Sequence, residues 1–310
     1  MGLNLQNYRV NFSPIINITK ENSKFFHFYY NDDTEEVNKK EFFEFLVIPK
    51  SVTKMKIIID SHIKSFVGLF KGCSVERINF IKFKKNNIYD MSEMFCECKK
   101  LKEINFINFE TNNVKIMEKI FARCYSLKEI NLSKFNIRNV TNLFKMFDGC
   151  SSLTKINFSN FNTQNVTNMS NMFNGCSSLV ELDLSNFNTQ NVINMSNMFN
   201  GCSSLVELDL SDFNTHNITN MSGAFNECIN LEKLNLSNFN TSNVSNMSSM
   251  FRKCRALKEL NLSHFNTSNV SNMSYMFSGC KSLPKLDVHS FDTSKVSNMS
   301  YMFDDCSLLK

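Results

Sequence analysis

Residues 176–201 read CSSLVELDLSNFNTQNVINMSNMFNG, and similar stretches fill most of the chain. The leading cysteine returns every 26 residues at positions 98, 124, 150, 176, 202, 228, 254, 280 and 306, and Cys73 precedes Cys98 by 25 residues. A fixed period of this length is the sequence signature of a repeat solenoid. We expect about nine regular turns that stabilise one another, because a single turn buries too little apolar surface to offset its chain entropy.

The first half of each repeat has the pattern of a short strand. Leu182 and Leu184 lie two residues apart, and the polar Glu181 and Asp183 alternate with them. A period of two is typical of a strand with one buried face. The pattern therefore predicts one short parallel strand in every 26-residue turn.

The second half of the repeat changes its period. Its apolar residues are spaced by three and four positions, at Val192, Met195, Met198 and Phe199. That spacing places all four on one face of a short helix or 3₁₀ segment. Asn191 precedes the segment and is the expected N-cap.

The first 50 residues do not fit the repeat. They are dense in aromatic side chains, at positions 25, 26, 28, 29, 30, 42, 43 and 45. An open solenoid end exposes a bare core and an unpaired strand edge, so we expect residues 1–50 to form an N-terminal cap. The solenoid is expected over residues 51–310, with a degenerate first turn at about 51–72. No C-terminal cap is evident, which leaves end-to-end self-association open as a hypothesis.

Composition argues against catalysis. The chain is 42% apolar and 20% charged, a globular balance, but it has only 8 glycines and 3 prolines for loops. The five histidines occupy different phases of the repeat, and we find no nucleophile motif, phosphate-binding loop or distinct carboxylate pair. We predict a protein that is not an enzyme and that carries no cofactor and no metal.

Ten of the eleven cysteines occupy one slot of the repeat, so they are expected to point inward as a ladder of thiols. Stacked Cβ atoms would lie about 4.8 Å apart, which is wider than the roughly 3.5–4.5 Å of a disulfide. Buried thiols are therefore favoured over disulfides. Cys96 lies beside Cys98 outside that slot, and a zinc pair there is a minor alternative.

The recurring unit C-x-x-L-x-x-L-[ND]-L-S-x-F-[ND]-T-x-x-V-x-N-M-S-x-M-F resembles the variant leucine-rich repeat of the BspA-like surface proteins, over about residues 60–310. The resemblance implies a leucine-rich-repeat-like solenoid without catalytic residues. It also implies display on a microbial cell surface and attachment to host or extracellular-matrix proteins.

The residues themselves leave the location open. The N-terminal sequence lacks the pattern of a secretory signal peptide, and no apolar run is long enough for a transmembrane segment. The first hypothesis is a cell-surface or extracellular adhesion protein, and the alternative is a cytoplasmic interaction module that acts as a regulator or assembly platform. We expect a protein ligand, with a glycan as a second option.

Charge is unevenly distributed along the chain. Residues 51–150 contain 18 basic and 10 acidic side chains, whereas residues 151–250 contain 2 and 7. The densest basic cluster is at Lys82, Lys84, Lys85, Lys99 and Lys100, and it suits either a solvated face or an acidic partner. The formal net charge of only +5 and the lack of interleaved aromatic residues argue against nucleic acid.

The outward positions of the predicted strands form the candidate protein-binding surface, which we call the strand face. Its side chains differ between repeats while the backbone beneath them is regular, although a merely solvated face would have the same pattern. The candidate residues are Lys128, Glu129, Lys155, Glu181, Asp183, Glu207, Asp209, Glu232, Lys233 and Glu259.

A second exposed ladder is expected from threonines at one slot of the repeat. Their hydroxyls are expected to satisfy backbone groups of turns, although a flat threonine array could also bind ice or a glycan. The residues are Thr163, Thr189, Thr215, Thr241, Thr267 and Thr293.

Overall fold

A computed structural model describes residues 2–6, 16–19, 21–31, 33–37, 54–60, 62–82 and 87–310. Within this part of the chain the 26-residue repeats stack as successive rungs, each made of turns and, in several rungs, a short strand. The predicted solenoid of leucine-rich-repeat type is confirmed. The strands are β1 (Gly2–Gln6), β2 (Phe26–Tyr30), β3 (Lys54–Ile59), β4 (Arg77–Lys82), β5 (Glu103–Phe106), β6 (Glu129–Asn131), β7 (Lys155–Asn157), β8 (Glu207–Asp209) and β9 (Lys233–Asn235).

The N-terminal strands build a five-stranded sheet in the order β2-β3-β1-β4-β5. β1 lies between β3 and β4 and is antiparallel to both, whereas β4 and β5 are parallel. Phe26 and Phe28 of β2 are buried in the core. The aromatic residues predicted for the cap at positions 42, 43 and 45 lie outside the described residues.

Parallel pairing in the repeats follows the 26-residue period. Glu129 pairs with Lys155 between β6 and β7, and Glu207 pairs with Lys233 between β8 and β9. The rung at 180–184 forms no strand, and among the described residues no backbone hydrogen bond joins it to the strands on either side. The rungs at 258–262 and 284–288 also form no strand, so strand pairing within the described repeats is limited to β4 with β5, β6 with β7 and β8 with β9.

The other side of the solenoid is bonded at every rung. Single-residue parallel bridges run without interruption from Ser65 to Asn298. In the rung quoted above, the amides of Met195, Asn197 and Phe199 donate to carbonyls of the next rung, at 2.8–3.0 Å. We call this segment, residues 194–202 and its equivalents, the turn spine.

The predicted helix or 3₁₀ segment is wrong. In the turn spine the Met198 amide closes a turn onto the Met195 carbonyl at 3.2 Å, while alternate amides point sideways to the next rung. A helix would need those sideways amides for its own turns. Asn197 and Gly201 also have positive φ angles of 53° and 70°. The three-and-four spacing could not reveal this, because stacked turns also place those side chains inward.

The predicted N-cap is wrong for the same reason. The Asn191 side-chain amide donates to the Gln164 carbonyl of the preceding rung at 2.7 Å. Equivalent asparagines make the same bond at 2.7–2.8 Å, namely Asn139, Asn165, Asn217, Asn243 and Asn269.

The core consists of ladders in which one residue type repeats. Phenylalanine rings of successive rungs stack nearly parallel with centroids 5.6–5.9 Å apart, at Phe147, Phe173, Phe199, Phe225, Phe251 and Phe277. The cysteines of the repeat slot lie beside them as free thiols, and the Cys150 thiol donates to the Phe121 carbonyl at 3.1 Å. The predicted inward thiol ladder is confirmed.

The threonine ladder was expected at the surface, and that is wrong. Thr163, Thr189, Thr215, Thr241 and Thr267 are no more than 1% exposed, and only Thr293 is exposed. Each buried hydroxyl donates to a carbonyl of the next rung at 2.8–3.0 Å. The predicted role of satisfying backbone groups is confirmed, but the buried hydroxyls form no array for ice or glycan.

Amide side chains build a further ladder across four rungs. Asn174 donates to Asp148, Asn200 donates to Asn174, and Asn226 donates to Asn200. This amide ladder ends where the next rung has Arg252 instead of asparagine. The Oδ1 of Asn226 and the Nε of Arg252 are both buried without a partner.

Candidate protein-binding strand face

The strand face lies where the sequence predicts it. Nine of the ten candidate residues are exposed, and Glu232 is half-buried. The aliphatic residues that alternate with them point into the core, and Ile130 and Leu208 are 4% and 3% exposed. The structure thus brings all ten candidates to one continuous surface, but their role in binding stays a prediction.

Many charges on the strand face pair between neighbouring rungs. Lys233 contacts Glu207, and Lys258 contacts Glu232. The same arrangement links Lys102 to Glu76 at 3.0 Å and Arg77 to Glu103 at 3.4 Å. The hydrogen bond from Lys258 lowers the pKa of Glu232, and the bond to Glu207 raises the pKa of Lys233.

Two of the candidate residues are exposed to solvent and also accept a hydrogen bond from a nearby backbone amide. Asp183 accepts the Ser185 amide at 3.0 Å, and Asp209 accepts the Ser211 amide at 2.9 Å. These hydrogen bonds lower the pKa of both carboxyls. Asparagine makes the same bond in other rungs, for example Asn235 to the Ser237 amide at 3.1 Å. The slot therefore requires an acceptor, and it carries a negative charge at Asp183, Asp209 and Asp287.

The middle of the face carries like charges in consecutive rungs. The repeat places Glu181 one rung before Glu207, and Asp183 one rung before Asp209. Val180 and Val206 lie beside them and are 55% and 37% exposed. We call these six residues the central patch.

A groove of about 600 Å³ opens at this patch. It is lined by residues of three consecutive rungs, from Thr154–Ser159, Glu181–Asp183 and Glu207. Ile156 and Leu182 are only partly buried here. The sequence gives no signal for this opening, because Ile156 and Leu182 occupy the same slot as the buried Ile130 and Leu208.

The described residues do not bring together the other sites that the sequence suggests. Within the described residues no group of three or more potential ligands could hold a metal ion. Of the basic cluster, Lys99 and Lys100 are exposed, whereas the side chains at 82, 84 and 85 lie outside the described part. None of the described segments forms a helix with the length and apolarity that a membrane crossing requires.

Comparison with known proteins gives one family and several solved solenoids. The family model described as Mycoplasma protein of unknown function, DUF285, matches residues 64–182, 153–258 and 219–310. No curated protein matches the sequence.

Three similar solved structures are bacterial leucine-rich-repeat proteins. The leucine-rich-repeat protein of T. pallidum has 20% identity and a TM-score of 0.41, with 67% of this chain and 84% of that chain covered. A leucine-rich-repeat protein of Bacteroides ovatus has 20% identity and a TM-score of 0.37, with 76% of each chain covered. A leucine-rich cell surface protein of Faecalibacterium prausnitzii has 17% identity and a TM-score of 0.32, with 72% and 75% covered.

The three matched segments of the family model overlap and together run from residue 64 to residue 310. They include every residue of the strand face and of the turn spine described above. The chain therefore belongs to the family described as Mycoplasma protein of unknown function, DUF285.

Proposed function

We propose that this chain is a non-enzymatic protein-binding scaffold and that the strand face is its binding surface. The observation that carries the proposal is the contrast between the two sides of the solenoid. On the turn side, asparagine and threonine side chains repeat and are used in bonds between rungs. On the strand face, the exposed side chains differ from rung to rung. A rigid backbone with variable side chains suits the recognition of a protein surface.

The finer proposal is a cell-surface protein that attaches to host or extracellular-matrix proteins. The resemblance of the repeat to BspA-like surface proteins supports it. The alternative is an intracellular interaction module, which the free thiols favour, since such thiols persist in a reducing compartment. A glycan as ligand and end-to-end self-association are further hypotheses within the same proposal.

The location is tested by antibody labelling of native cells before and after permeabilisation. Labelling of intact cells is expected for the surface proposal. Labelling only after permeabilisation would replace it with the intracellular alternative.

The binding surface is tested with a variant that removes charge and keeps hydrogen bonds. E181Q/D183N/E207Q/D209N neutralises the central patch, and asparagine retains the acceptor for the two serine amides. The matched control, D33N/E35Q/D304N/D305N, neutralises four exposed carboxylates away from the strand face.

Both variants and the parent chain are applied to host cells and to wells coated with matrix proteins. We expect the strand-face variant to lose binding and the control to retain it, with unchanged melting temperatures. Equal binding by all three proteins would refute the assignment of the strand face.

A further inference from the structure

We propose that the groove at the central patch docks an extended, lysine- or arginine-rich segment of a partner protein. The inference rests on the proposed function and names the chemistry of the partner. It follows from the position of the groove between rungs, from the side chains that line it and from the charges at its rim.

The groove is an opening between rungs of the solenoid. Among the described residues, no backbone hydrogen bond joins 154–158 to 180–184, or 180–184 to 206–209. By contrast, β6 with β7 and β8 with β9 are bonded in register. The backbone of 180–184 thus takes no part in pairing with the described strands on either side.

The lining of the groove includes two aliphatic side chains, Ile156 and Leu182, among mostly polar residues. Ile156 and Leu182 are partly exposed there, whereas the equivalent Ile130 and Leu208 are closed over by their neighbours. Val180 and Val206 are exposed and directly precede the groove residues Glu181 and Glu207 in the sequence. Because three rungs span on the order of 10 Å, the groove suits an extended segment of about four residues.

The charges decide what kind of segment fits. Elsewhere on the face a basic residue pairs with an acidic residue of a neighbouring rung, as Lys102 does with Glu76 of the preceding rung. In the central patch Glu181 precedes Glu207 and Asp183 precedes Asp209. Among the described residues, Lys233 forms the one ion pair with these four carboxylates, and Lys155 lines the groove without pairing with them. Like charges at facing positions destabilise a sheet. A cationic partner would relieve that repulsion, whereas nucleic acid or an acidic protein would add to it.

The test uses the full chain and a labelled probe of defined chemistry. The probe is a fluorescein-labelled octapeptide in which lysine and valine alternate, and the matched peptide has glutamate in place of lysine. Fluorescence anisotropy is measured at 0.05 M and 0.5 M salt. We expect the lysine peptide to bind and the glutamate peptide not to bind. Binding of the lysine peptide should weaken at 0.5 M salt because salt screens charge pairs.

Two variants test whether the peptide binds in the groove. E181Q/E207Q removes two rim charges, and E129Q/E259Q removes two charges at the same slot in rungs outside the groove. We expect the first variant to weaken peptide binding about tenfold and the second to change it less than about twofold.

Failure of the lysine peptide to bind at millimolar concentration, equal binding of the glutamate peptide, or equal weakening by both variants would overturn the inference. The proposed function would survive each of those results if the strand-face variant still lost binding to cells or matrix. It would fail with the inference only if that binding were also unchanged.

Discussion

Raising the pH from 8 to 10 is expected to destabilise the fold through its buried thiols. Burial raises the pKa of Cys98, Cys150, Cys228 and Cys280 to about 12, from an ordinary value of 9.0. The unfolded chain releases these protons near pH 9, whereas the folded chain keeps them until about pH 12. The stability that the neutral thiols contribute is therefore complete below pH 9 and falls as the pH rises from 9 to 12.

The size of the pKa shift sets how much the free energy of unfolding falls at pH 10. At pH 10 a thiol that titrates near 9 when unfolded and near 12 when folded lowers the free energy of unfolding by roughly 1 to 2 kcal/mol. The four thiols together give about 5 kcal/mol on that basis. This is a large share of the roughly 5–15 kcal/mol that stabilises an ordinary domain.

The assay is urea unfolding at pH 8 and pH 10 with a reductant present. The comparison variant replaces all four cysteines with serine, whose hydroxyl does not ionise here and can still donate to the carbonyl that each thiol contacts. The Cys150 thiol, for example, donates to the Phe121 carbonyl at 3.1 Å. The parent protein is expected to lose about 5 kcal/mol more than the variant between the two pH values.

Because four changes in the core could prevent folding, Cys150→Ser alone serves as a second comparison. It is expected to remove roughly 1 to 2 kcal/mol of the alkaline loss of stability. An equal loss of stability in the parent protein and in both variants would refute the role of the thiols.

Three further predictions concern single ladders. Arg252→Asn is expected to extend the amide ladder by one rung and to raise the free energy of unfolding by about 1 kcal/mol in urea melts. The reason is that two buried polar atoms, Asn226 Oδ1 and Arg252 Nε, would no longer be without a partner. A lower free energy of unfolding in the variant would contradict this explanation. Gly223→Ala and Gly72→Ala each place a Cβ at a positive φ angle, +60° and +71°, so each is expected to lower the free energy of unfolding by about 1 kcal/mol in the same melts. The Asn197 side-chain oxygen near the Gly223 position can move aside, and a cost above about 2 kcal/mol for Gly223→Ala would contradict this. Thr215→Val removes a buried donor and is expected to lower stability by about 1–3 kcal/mol, whereas Thr293→Val at the exposed equivalent position should lie within about 0.5 kcal/mol of the parent.

The period and the inward positions could be predicted from the sequence because one residue type fills each slot. The cysteine spacing alone gave the rung length, and the alternation around Leu182 gave the outward face. The thiol ladder could be predicted for the same reason, since residues one period apart lie on the same side of every rung.

The conformation between the strands could not be predicted in this way. The spacing of Met195, Met198 and Phe199 fits a helix and a row of stacked turns equally, and what decides between them is bonding to a neighbouring rung. Burial of the threonine ladder also depends on the neighbour, because the hydroxyl of Thr215 finds its acceptor 25 residues away.

The opening at Leu182 lies beyond sequence patterns for a related reason. Leu182 has the same chemistry and slot as the buried Leu208 and Leu260, yet it is half-buried, so its exposure depends on the rungs around it. The division into a cap at 1–50 and a solenoid from 51 onward stays a prediction, and so does the binding role of the strand face.

The most direct measurement is hydrogen–deuterium exchange along a single rung, read by mass spectrometry. The central claim is that the turn spine holds the solenoid together while the strand face stays free for a partner. In residues 194–202, alternate amides are bonded to the next rung, whereas residues 180–184 form no backbone bond to a neighbouring strand. Slow exchange in 194–202 with fast exchange in 180–184 is the predicted result. Equal protection of both segments, or slower exchange in 180–184, would contradict it.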